Sequence, residues 1–96
     1  MAHRAVEILA IDGGGVAFRP FLPGAQPGDP LPAESGDGVV WSNRTDQDVE
    51  LVSTDAPWLD QRIEAGGSSP HLFIVPGTSV RYRCVQPPQP HLIEVG

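Results

Sequence analysis

Proline and glycine punctuate this chain from end to end, with eleven of each among 96 residues, far above average usage. The apolar runs between them are short, which favours many short strands joined by turns over helices. A chain of this length makes one domain, residues 1–96, with one modest core between two layers. No apolar run reaches membrane-spanning length. The formal net charge is -6, from twelve acids against six bases, and every base is an arginine. An acidic chain without a basic cluster argues against nucleic acid and anionic membrane as partners, leaving another protein. The segment from Met1 to Ile8 lacks the apolar stretch and cleavage site of a secretory signal. A complete chain is therefore expected in the cytoplasm; otherwise a signal has been removed. The single cysteine forbids an internal disulfide.

Periodicity places the strands. Ala5 to Ile11 reads as a strand, ended by Gly13-Gly14-Gly15. Val16 to Phe21 reads as a short second strand that Pro20 confines to an edge or a bend. Pro23 to Gly38 is expected to be one long loop. Val39 to Asn43 is a strand, and Asn43 to Gln47 a turn rich in side chains that bond their own backbone. Asn43-Arg44-Thr45 also fits a glycosylation acceptor; the turn is the preferred reading. Val49, Leu51 and Ser53 alternate with an outward Glu50. Trp58-Leu59 suits a single helical turn, with Ile63 in the same irregular segment. His71, Phe73 and Val75 alternate along a strand, His71 as a core-edge imidazole bonded to a backbone carbonyl. Val80, Tyr82 and Cys84 share one face of the next strand, with Arg81 and Arg83 on the other. Leu92 to Val95 is the last strand. The sum is an all-β, Greek-key β-sandwich.

One motif looks like chemistry. Asp12-Gly13-Gly14-Gly15 resembles the turn that supplies backbone N–H groups to an oxyanion in patatin-like lipases. No Gly-x-Ser-x-Gly elbow accompanies it, so it reads as a flexible turn. No other nucleophile–base pattern is present, and an enzyme is not expected.

A second set of motifs carries a wider resemblance. Gly36-Asp37-Gly38-Val39-Val40-Trp41-Ser42-Asn43 is followed by Pro76-Gly77-Thr78, by the strand Val80 to Cys84, by a proline-rich loop and by Ile93-Glu94-Val95. Together with Phe18-Arg19-Pro20, this order is similar to that of cupredoxins, the small blue-copper proteins. The resemblance implies a cupredoxin-like fold and, in the family, copper held by one upstream His and by Cys, His and Met of the last loop. A trigonal thiolate–imidazole site with a weak axial ligand needs those donors. Here the first His position falls at Val49, beside Asp48. Cys84 stands at the Cys position and Pro87 at the second His position. The axial Met has no counterpart.

The resemblance thus implies a copperless binding or assembly module with no cofactor. Its recognition surface is expected on residues 23–38 and 85–91, with Trp58, Pro87, Pro88, Pro90 and His91 as candidates. Trp41 and Trp58 are expected in the core, with exposure at the end that carries the proline-rich loop as the alternative for Trp58, which follows Pro57. The alternative is a non-standard copper or zinc site on Cys84 and His91, with Asp48 in reach, used for electron transfer or metal handling. Cys84 itself reads most simply as a small buried hydrophobe, with Val49 and the Pro87 ring closing over it.

Overall fold

Alternation of apolar and polar residues builds nine strands, and a computed structural model describes residues 2–96 of the chain. They are β1 (His3–Ala10), β2 (Val16–Pro20), β3 (Leu31–Ala33), β4 (Gly38–Asn43), β5 (Val49–Val52), β6 (Gln61–Ile63), β7 (Phe73–Ile74), β8 (Val80–Cys84) and β9 (Gln89–Val95). A single 3-10 turn, Pro57–Leu59, sits between β5 and β6. The strands form two sheets, in the orders β2-β1-β4-β7 and β3-β9-β8-β5-β6. Each sheet is mixed: β1 pairs parallel with β4, and β3 parallel with β9. The expected all-β sandwich is therefore the architecture.

The core follows from strand parity. Val6 and Ile8 on β1, Phe18 on β2, Val39 and Trp41 on β4 and Phe73 on β7 face inward from one sheet. Leu31, Val49, Leu51, Ile63, Val80, Tyr82, Cys84 and Ile93 face inward from the other. Side chains on the inner faces of two stacked sheets fill a layer about 10 Å thick. Pro20 lies on β2, an edge strand, where its missing N–H is tolerated. Gly13 and Gly14 have positive φ, and the Ile11 N–H donates to the Gly15 carbonyl at 3.0 Å to close the turn.

Four expectations are corrected. Residues 23–38 are not one loop: Leu31–Ala33 pairs with β9 because Leu31 and Ala33 alternate with Pro32 and bury themselves. Ile63 is not in an irregular segment but ends β6, which pairs with β5 through Val49↔Ile63. His71 is exposed, outside the short β7, and its backbone N–H bonds the Gln61 side chain. Trp58 is not core. It is 58% exposed, stacked on Phe73 with its indole N–H donating to the Ile74 carbonyl.

Trp58 is also not at the end that carries the proline-rich loop. Ile74 pairs with Gly38 at the start of β4. The turn after Asn43, at the other end of β4, shares a cleft with Pro87. Trp58 and Pro87 thus mark opposite ends of the sandwich.

Candidate functional site

The Asn43 turn shapes the end where the resemblance would place a metal. The Asn43 amide donates to the carbonyls of Gln47 (2.7 Å) and Ile63 (3.1 Å), and its oxygen accepts the Thr45 N–H at 3.0 Å. Asn43 is fully buried, so the glycosylation pattern offers no accessible amide and the self-bonded turn is what forms. This turn delivers Asp48 and Val49 to the rim of a cleft of about 110 Å3 that Ile11, Gly14, Gly15 and Pro87 also line.

Cys84 ends β8 beneath that rim. It is fully buried and free. Its Sγ–H donates to the Pro87 carbonyl at 2.9 Å, and the Gln89 carbonyl stands 3.9 Å away. Burial pushes the thiol pKa up, the reverse of what a reactive or ligating thiolate needs. Asp48 is turned elsewhere: it accepts the Ala65 N–H at 3.0 Å and the Arg62 guanidinium at 2.7 Å. Those contacts, the Ala65 N–H first, hold its carboxyl below the usual range. Val49 and Pro87 supply no donor side chain. The residues present do not fit a blue-copper centre. Among the described residues no group of three or more His, Cys, Asp or Glu could hold a metal ion.

His91 is in β9, opposite Tyr82 rather than Cys84. Its Nδ1 lies 2.6 Å from the Tyr82 hydroxyl and its Nε2 lies 2.6 Å from the Asp29 carbonyl. The Trp41 indole N–H donates to the same hydroxyl at 2.9 Å. The two ends of this chain fix its direction, because an indole only donates and a carbonyl only accepts. Nε2 therefore carries the His91 proton, and Nδ1 accepts from Tyr82, whose oxygen accepts from Trp41. Both ring nitrogens are spent, so His91 has no lone pair for a metal. Burial lowers its pKa, against the opposing pull of the Asp29 carbonyl. Burial likewise raises that of Tyr82. Phe18 stacks on the His91 ring with centroids 5.2 Å apart.

The five candidate recognition residues therefore separate. Pro88 and Pro90 are exposed and Pro87 is half-buried, and the Gln86–Pro87 peptide is cis. Trp58 lies at the far end. His91 is buried and is not part of a surface, because β9 starts at Gln89 and carries His91, Ile93 and Val95 on its inner side. That period-two series was legible, and starting the strand at Leu92 hides it. No protein-family model matches this chain, and no curated protein matches it.

Proposed function

We propose that the chain is a cupredoxin-like, Greek-key sandwich without a blue-copper centre, acting as a non-catalytic binding or assembly module. The observation that carries this reading is the sealed thiol: Cys84 donates a hydrogen bond to the Pro87 carbonyl where a family member would need a second imidazole. Val49 closes the upstream position with an apolar side chain. The buried polar side chains support the non-catalytic part. Each has a structural partner, and among the described residues none is left unbonded. The polar side chains described above converge on no nucleophile–base–orienter arrangement.

Cu(II) titration of the purified protein, followed in the visible range and by bound-metal analysis, tests the reading. The expected outcome is no intense thiolate-to-copper band and no stoichiometric copper. A blue or green one-to-one complex that disappears in Cys84→Ser would overturn it.

A further inference from the structure

Single exposed apolar side chains are ordinary; adjacent ones on one sheet face are not. On the outer face of the four-stranded sheet, strand register assembles such a row. The Phe21 N–H donates to the Ala5 carbonyl at 2.9 Å, extending the β1–β2 pairing. Ala5 is opposite Val40. Val39↔Phe73 sets Val40 beside Leu72, whose side chain leans over Gly38, within 3 Å or so of where a Cβ there would stand. Phe21, Ala5, Val40 and Leu72 thus form an apolar stripe across all four strands, with Phe21 67% and Leu72 45% exposed.

Two residues along each strand, about 7 Å away, lies a charged row. Glu7 is the only acid that β1, β2, β4 and β7 place on this face, and its side chain is only 10% exposed. Arg19 bonds one of its carboxylate oxygens and Arg44 approaches the other at 3.4 Å. The arginines lie over the acid, with side chains 40% and 61% exposed. On a chain of net charge -6, this face presents cations to the outside and keeps its carboxylate beneath. An open groove of about 380 Å3 runs between Arg19, Phe21 and Leu22, joining the two rows.

We infer that this face docks a segment of another protein that carries apolar side chains flanked by carboxylates. The apolar residues would cover the Phe21–Leu72 stripe and the carboxylates would meet Arg19 and Arg44. Guanidinium forks that still offer donors suit carboxylates, and a basic partner would meet like charge. The inference rests on the reading of the chain as a binding module and assigns it a surface and a partner chemistry.

The test uses the intact 15N-labelled protein and two synthetic peptides, one alternating leucine with glutamate and one alternating leucine with lysine. The glutamate peptide is expected to shift the amides of Ala5, Phe21, Val40, Ser42 and Leu72, and the lysine peptide to leave them in place. Phe21→Ser and Arg44→Gln alter exposed positions; each is expected to weaken binding at least tenfold with an unchanged melting temperature. No shift with either peptide, or equal shifts with both, overturns the inference. So does concentration-dependent sedimentation of the protein alone that Phe21→Ser abolishes, which makes the face a self-contact. Binding to phosphatidylglycerol vesicles without binding to the peptide also overturns it. Copper titration of the same sample separates the failures. A blue complex sinks the module reading, whereas a silent titration with no peptide binding sinks only this inference.

Discussion

Tyr82 and Cys84 stand two residues apart on β8, face the same core and are both buried, yet the fold treats their polar atoms in opposite ways. The Tyr82 hydroxyl is the middle of a chain that starts on β4 at Trp41, crosses to β9 at His91 and ends on the Asp29 carbonyl before β3. It ties both sheets and a loop together. The Cys84 thiol has only local carbonyls from the loop that follows it. A hydroxyl in a core must be satisfied on both its donor and acceptor sides, whereas a thiol is a weak donor that behaves as a small hydrophobe. Residues alike in burial and strand position therefore differ in how much of the structure depends on them.

The largest expected effect breaks the chain at its centre. Tyr82→Phe leaves the Trp41 N–H and the His91 Nδ1 buried without partners, at a cost of about 3 kcal/mol. Chemical denaturation should report it as a lower midpoint with an unchanged slope. Adding His91→Phe to Tyr82→Phe should cost clearly less than the sum of the single variants, because the two residues share one bond. Additivity would show that the chain is not cooperative.

Acid gives the next effect. The folded pKa of His91 lies below its ordinary 6.5, so the neutral imidazole is the form that stabilises the fold. That contribution is fully present above pH 6.5 and is lost as pH falls through the folded value. A proton on Nδ1 would face the Tyr82 proton, which has no other acceptor among the described residues. Denaturation midpoints should fall on acidification below pH 6.5, and His91→Gln, which can accept and donate without titrating, should flatten the profile. Asp37 acts lower. The N–H groups of Ala2 and then Glu34, helped by Arg4, hold its carboxyl down at about 2. Its contribution is present above its ordinary 3.8 and is lost as pH falls from there through about 2.

The smallest effect belongs to the thiol. Cys84→Ser keeps a donor for the Pro87 carbonyl and should cost about 1 kcal/mol. Native protein should react slowly with a thiol reagent and quickly once unfolded. Rapid labelling in the folded state would mean that the Pro87 seal is open.

Much of this was legible in the residues, because period-two alternation reports a face directly. Val80, Tyr82 and Cys84 inward with Arg81 and Arg83 outward, Val49 and Leu51 inward, and Pro20 at an edge all follow from that rule. The misses came where the pattern was too brief to outweigh its neighbours. Leu31–Ala33 is three residues with a proline in the middle, and Gln61–Ile63 is three residues after a 3-10 turn. Each is held by its partner strand, which local sequence does not contain. The site was legible only in part. The lack of donors at Val49 and Pro87 could be read from residue type. The partners of His91 could not, because Asp29 is 62 positions away and contributes a backbone carbonyl.

The place of β9 has a consequence for how the molecule comes into being. It is the last strand in sequence but lies inside its sheet, between β3 and β8, pairing Leu31 with Ile93. β3, which pairs only with β9, and the β8-β5-β6 part of the sheet stay unjoined until residues 89–95 are present. Such high contact order places folding in the millisecond-to-second range, roughly, rather than the microsecond range of helical bundles. The β3 and β8 edges that β9 joins stay open until residues 89–95 are there to pair with them. The five-stranded sheet therefore closes late, once β9 is in place between β3 and β8.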